Sequence, residues 1–179
     1  MKKFLNFALT MLASIFCIST FTSCAALPKF IPEFDNENKD QLLDQVLSAI
    51  QNEDRGYLKS LFSKKALSEV DDFDSGVQRL FDFFDGDVIS YEFHAEGISD
   101  KKNDGIRTTK KRWWYTVNTN TGEYLFFFLE YPRDEENPDN VGLYMLQVIK
   151  LEDRTTLFDG GQTILSPGVY VPSEYFEGK

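Results

Sequence analysis

The run Tyr124-Leu125-Phe126-Phe127-Phe128-Leu129 constrains this chain more than any other feature. Successive side chains of a strand point to opposite sides, so as a strand this run has no polar face. Val141 to Leu151 repeats the pattern: Leu143, Met145 and Ile149 oppose Tyr144, Leu146 and Val148. A sheet with one wet face alternates apolar with polar residues. These strands do not, so both their faces require cover. Helices can cover one. The other needs the C-terminal tail, a partner subunit or a bound apolar ligand.

The helices are upstream. Leu42, Leu43, Val46, Leu47 and Ile50 form one apolar stripe, with Asn36 or Asn38 available as its cap. Asp54 can cap a short helix bearing Tyr57, Leu58, Leu61 and Phe62, and Ser63 a third from Lys64 to Val70. Asp74 or Ser75 starts a fourth, with Val77, Leu80, Phe81 and Phe84 at helical spacing and Gly86 as the residue after its end. From Asp87 the period becomes two: Ile89, Tyr91 and Phe93 alternate with Ser90, Glu92 and His94. A polar turn region at Lys101 to Gly105 leads to a strand over Arg107 to Asn118, with Trp113, Tyr115 and Val117 on one face and Trp114 and Thr116 on the other. Tyr124 to Tyr131, an acidic loop from Pro132 to Asn140, Val141 to Leu151 and a short Val169 to Val171 edge strand complete the order. Helices first and strands afterwards is an α+β order. The expectation is N-terminal helices on a curved four- to five-stranded antiparallel sheet.

The N-terminus carries its own signal. Lys2 and Lys3 precede an uncharged, mainly apolar stretch from Phe4 to Phe21, and Thr22-Ser23-Cys24 closes it. This is the order of a secretory signal, and a cysteine after two small residues is the lipobox arrangement. Cys17 follows the bulky Phe16, which disfavours cleavage there. The chain therefore reads as residues 1–23 signal peptide, 24–38 lipidated Cys24 with a Pro-containing tether, and 39–179 one α+β domain. The expected location is the extracytoplasmic face of the cell membrane, held by lipid on Cys24. Cys17 and Cys24 are the two cysteines of the chain, so the expected mature domain has no disulfide.

Charge narrows the partners. The chain has 19 basic and 29 acidic side chains, and without Lys2 and Lys3 the balance is 17 against 29, a formal −12. This excludes nucleic acid as the expected partner, because phosphate binding relies on clustered Lys and Arg. It also argues against a second, electrostatic attachment to anionic lipid.

His94, the one histidine, alternates with the apolar set of its strand and so faces the other side. Asp71-Asp72-Phe73-Asp74-Ser75-Gly76 with Asp82 approximates a calcium loop, but Phe73 stands where an oxygen is needed. Helix caps and first-turn acids explain the string better. No metal ligand set and no cofactor are expected, and no phosphate-cradling or nucleophile-elbow motif occurs. The candidate binding residues are aromatic sheet positions, Trp113, Trp114, Tyr115 and Phe127. Trp113-Trp114 beside Lys110, Lys111 and Arg112 could form a stacking surface, but the expected arrangement is one ring buried and the other at an interface.

The helix-then-meander order over Asp40 to Leu151 resembles the cone-shaped fold of the nuclear transport factor 2-like superfamily. That resemblance implies a pocket between sheet and helices and a homodimer through the sheet. Ser60-Leu-Phe-Ser-Lys-Lys-Ala-Leu67, Tyr124-Leu-Phe-Phe-Phe-Leu-Glu-Tyr131 and Glu136-Asn-Pro-Asp-Asn-Val-Gly-Leu-Tyr144 are similar to a family of small lipoproteins from Gram-positive bacteria, a domain of unknown function. It supplies no catalytic or binding residues. The function expected is a non-enzymatic ligand-binding or protein-interaction module. The alternative is a pocket enzyme of the isomerase or dehydratase cone type, using Asp or Glu, with or without His94.

Overall fold

Alternating apolar faces in the second half of the chain produce a five-stranded sheet in the order β1-β2-β3-β4-β5. The computed structural model describes residues 39–177. These all fall within one compact unit, Pro32–Lys179. The expected signal peptide with Cys17, the expected lipidation residue Cys24, the expected tether and the candidate caps Asn36 and Asn38 lie outside the described residues.

Four helices come first: α1 (Lys39–Gln51), α2 (Arg55–Ser60), α3 (Lys64–Glu69) and α4 (Phe73–Phe83). The predicted stripe of α1 is buried throughout. Asp54 caps α2 by accepting from the Tyr57 N–H at 2.8 Å. Ser63 caps α3 through the Ala66 N–H at 3.1 Å. The cap of α4 is Asp72, not Asp74 or Ser75, and its carboxylate accepts from the Ser75 N–H at 3.0 Å. Starting there lets Phe73 swing into the core, where its ring meets Phe62 edge-on at 5.0 Å. The helix ends on an extended Phe84. Gly86 therefore serves the connection beyond it rather than the helix terminus. Its φ is +87°, and a Cβ there would lie 2.3 Å from Asn120 Oδ1, so only glycine fits.

The strands are β1 (Val88–Asn103), β2 (Ile106–Thr119), β3 (Glu123–Asp134), β4 (Gly142–Lys150) and β5 (Gly168–Tyr170). β1 to β4 form an antiparallel meander. β5 runs parallel to β4, so the sheet is mixed and the purely antiparallel expectation is corrected. Parallel pairing requires a crossover. The chain supplies one by leaving β4, passing over the far side of the sheet with the one-turn helix α5 (Arg154–Leu157), and returning to the same edge. A sixth segment joins that edge through a single bridge between Phe62 and Leu143.

β1 departs from simple alternation. Its register on β2 shifts between Val88 and Ser90 and between Phe93 and Ala95, so Ile89 and His94 are the extra residues of two bulges. Tyr91 and Phe93 keep the helix-side face and touch the Tyr115 ring. Ile89 falls out of that set and is 69% exposed.

Both faces of β3 are covered. Tyr124, Phe126 and Phe128 join Trp113, Tyr115 and the helix stripes in the main core. Leu125, Phe127 and Leu129 join Met145 and Ile149 in a second cluster, packed by Leu157, Phe158 and Ile164 of the crossover. Of the three covers open to the second face, the structure places the C-terminal tail on it.

Candidate functional site

Three element ends meet at one corner of the domain and leave a depression of about 450 Å³, open to solvent. Its lining is Ile50, Gln51, Glu53, Phe81, Phe84, Gly86 and Asp87. The α1 stripe stops at Ile50, and the chain turns away through Glu53 at a φ of 51°. Ile50 and Phe84 make a buried floor, while Gln51, Glu53 and Asp87 form an exposed rim. Arg55 holds the neighbouring helix in place. It donates to the Asp74 carbonyl at 2.6 Å and to Gln78 Oε1 at 2.8 Å, with its guanidinium 5.7 Å from the Phe81 ring centre. An apolar floor with two carboxylates at the rim suits contact with a ligand that joins an apolar part to a cationic one. The lining has no histidine, cysteine, serine or tyrosine. Its titratable side chains are the carboxylates of Glu53 and Asp87.

The four candidate aromatics are not brought together. Trp113 and Tyr115 point toward the helices and are buried. The Tyr115 hydroxyl donates to Asp40 Oδ1 at 2.9 Å, which pins the start of α1 to β2. Trp114 and Phe127 point the other way and flank Phe158, at centroid distances of 5.6 and 5.5 Å. Trp114 is half-buried and the other three are enclosed. The four residues thus stand as two pairs, one on each side of the sheet.

His94 is exposed on the bulged edge strand, with Nε2 2.5 Å from Thr116 Oγ1. Thr116 shares the face of Trp114, so His94 stands on the side away from the helices. The acidic string at Asp71 is the entry to α4: Asp72 caps, Phe73 is buried, and Asp74 and Ser75 lie in the first turn. Among the described residues, no group of three or more His, Cys, Asp or Glu side chains is placed to hold a metal ion.

A polar cluster that sequence reasoning missed sits where β3 and β4 meet the C-terminal segment. Lys150 Nζ donates to the Tyr124 hydroxyl at 2.7 Å and lies 3.9 Å from the Tyr124 ring centre. The Lys150 backbone N–H donates to the Tyr175 hydroxyl at 3.1 Å, which itself donates to Asp153 at 2.7 Å. Burial, and then the bond to Asp153, pushes the Tyr175 hydroxyl well above the usual tyrosine range. Only the apposition of Tyr124 and Lys150 across the strand pair signals this cluster, and that register cannot be read before the pairing is known. Its bonds are internal ones, so it locks the chain end to the sheet.

A family model for a domain of unknown function, DUF5104, matches residues 45–151. That span runs from within α1 past the end of β4 and takes in the depression, the four aromatics and His94, but not the crossover or β5. No match was found among curated proteins. The match covers more than half of the chain, which therefore belongs to the DUF5104 family.

Proposed function

We propose that this protein is a lipoprotein, anchored by lipid on Cys24 to the extracytoplasmic face of the cell membrane, whose folded part is a non-enzymatic binding or interaction module. The anchor rests on the ordered string Lys2-Lys3, Phe4 to Phe21, Thr22-Ser23-Cys24. No described helix is long and apolar enough to cross a membrane. We further propose that the fold is a variant of the nuclear transport factor 2-like cone and that the chain belongs with small lipoproteins of Gram-positive bacteria. Helices ahead of an antiparallel meander support the cone reading, and the parallel β5 is a departure from it.

One observation carries the module reading. The helix-side face of the sheet, where a cone fold would keep its pocket, is occupied by Trp113, Tyr115, Tyr124, Phe126 and Phe128, each at most 2% exposed. His94 faces away from that side, so the enzyme alternative would have to work with Asp or Glu alone. A ligand then binds at the open corner between Ile50 and Asp87. Both faces of β3 are covered by the chain's own segments, and a sheet-mediated homodimer would use the β1 edge, where Ile89 and Tyr91 are exposed.

The anchor is tested by Cys24→Ser in the full chain. The variant should be released from the membrane fraction or remain unprocessed. Undiminished membrane retention of a correctly cleaved variant would overturn the anchor. Light scattering after size exclusion, with Ile89→Lys as the comparison, tests the edge dimer: the substitution should yield a monomer.

A further inference from the structure

The formal charge of the chain conceals a segregation. Residues 101–112 hold six of the 19 basic side chains and one of the 29 acids, a local +5 against −15 for the rest. They form the β1–β2 hairpin, which closes at Asp104-Gly105 with both φ angles positive. The pairs Gly97↔Arg112, Ser99↔Lys110, Lys101↔Thr108 and Asn103↔Ile106 put Lys101, Ile106, Lys110 and Arg112 on one face. Ile106 is 45% exposed there.

Four of the acids near this end are already engaged, and Asp104 sits in the turn itself. Asp100 accepts from the Arg107 guanidinium and from Thr109. Asp134 accepts from the Asn137 N–H and from Asn140 Nδ2. Glu135 accepts from the Arg107 N–H, and Asp139 lies 3.3 Å from Lys64. Lys101, Lys110 and Arg112 have no carboxylate at ion-pair distance among the described residues. Burial, and then the charges of Arg112 and Lys101, lower the Lys110 pKa, as a positive cluster without a counter-charge requires.

We propose that this hairpin docks on anionic phospholipid headgroups of the membrane to which the chain is tethered, with Lys101, Lys110 and Arg112 facing the phosphates and Ile106 entering the interface. The proposal rests on the lipid-anchor reading above. Charge complementarity selects the occupant, and length permits it. Asp40, at the start of α1, bonds Tyr115. Tyr115 is ten residues along β2 from the Gly105 turn, or about 33 Å at strand rise. Residues 24–38 between lipid and helix can span about 50 Å when extended. Lipid and hairpin can therefore touch one surface. Tethering also raises the effective concentration of the hairpin there, so a weak contact suffices. Fields fall off within about 8 Å at physiological salt, so acids farther away do not cancel the contact. The overall −12 is thus a poor guide to what this end of the domain meets.

Amine footprinting of the full chain reconstituted in vesicles tests the proposal. In phosphatidylcholine vesicles with about a third phosphatidylglycerol, Lys101 and Lys110 should be acylated about threefold more slowly than in pure phosphatidylcholine, while Lys59 on α2 is unchanged. About 0.5 M salt should erase the difference. Equal labelling of Lys101 and Lys110 in the two vesicle types overturns the proposal. So does protection by soluble polyphosphate without protection by phosphatidylglycerol, which would assign the patch to a soluble polyanion. Flotation with pure phosphatidylcholine vesicles reads the anchor separately. A chain that floats without lysine protection keeps its anchor and loses the docking surface. A chain that fails to float loses the anchor, and its footprint on phosphatidylglycerol vesicles still decides the hairpin. Lys101→Glu with Arg112→Glu, both on the docking face, should abolish the phosphatidylglycerol-dependent protection at Lys110.

Discussion

Phe126 and Phe127 are neighbours in β3 and neither is exposed at all, yet they are buried by different means. Phe126 faces the helices. Its ring meets Phe84 edge-on at 5.5 Å and stacks near Phe128 at 6.5 Å, within a cluster supplied by α1, α2, α3, α4 and four strands. Phe127 faces the crossover, where Phe158 and the backbone of Gly161 close over it. One cover consists of helices fixed by their own hydrogen bonds and side-chain caps. The other is mostly irregular chain, shaped largely by one carboxylate. Asp159 accepts from the N–H groups of Gly161, Gln162, Thr163 and Ile164 and from the Thr163 hydroxyl. Equal burial therefore does not mean equal rigidity.

The largest effect should come from truncating these rings. Phe126→Ala leaves a cavity walled by helices that cannot collapse, and should cost about 3–5 kcal/mol. Phe127→Ala should cost about 3 kcal/mol or less, because an irregular cover can settle into the space. Urea unfolding of both variants decides this. Equal losses would mean that the tail is as rigid as the helices.

Gly161→Ala attacks the weaker cover directly. The residue has a φ of +66°, and a Cβ would lie 2.7 Å from Phe127 Cζ, so substitution adds a clash to backbone strain. The expected cost is about 1–3 kcal/mol. Gly160 is the control: its φ is +68° but a Cβ there meets nothing within 4 Å. Gly160→Ala should cost only about 1 kcal/mol. Protease sensitivity between Glu152 and Pro167 should rise for Gly161→Ala while the helices stay protected. A loss no greater than that of Gly160→Ala would show that the loop can lift off Phe127 freely.

Much of the helix-covered face was legible in the sequence, and little of the tail-covered one. The stripe Leu42, Leu43, Val46, Leu47 and Ile50 and the caps Asp54 and Ser63 depend on neighbours three or four residues away, so local patterning reveals them. The need for a second cover was visible in Phe127 and Leu129, but three occupants met it equally until the crossover was placed. The direction of β5 depends on where that crossover returns, which three residues cannot encode. Ile89 misled because a bulge breaks strand parity, and nothing in the alternation of β1 announces one. The corner depression escaped notice for a related reason. Its lining comes from three separate element ends and has no shared period.

The smallest predicted effect concerns acid. Burial by itself raises the Asp159 pKa, but the Thr163 hydroxyl and the N–H groups of Ile164, Thr163 and Gly161 outweigh it and hold the carboxyl at about 2, against an ordinary 3.8. A carboxyl whose folded pKa lies below its unfolded one stabilises the fold fully above about pH 3.8 and loses that contribution as pH falls toward 2. The tail cover should therefore loosen first in acid. The two tryptophans of the chain report on the two faces separately. Trp113 packs with Phe128 on the helix side, and Trp114 packs with Phe158 under the tail. In Trp113→Phe the emission of Trp114 should shift between pH 4 and pH 2 (roughly the span of the two pKa values). In Trp114→Phe the emission of Trp113 should hold to lower pH. Asp72 and Asp100 also have lowered pKa values and lose their contributions in acid. The decisive comparison is therefore Asp159→Asn in the Trp113→Phe background. It should already show loosened Trp114 emission at neutral pH and little further change in acid. A Trp114 transition that survives in Asp159→Asn would mean that other carboxylates control the cover. The two faces would then differ in architecture without differing in how their stability responds to protons.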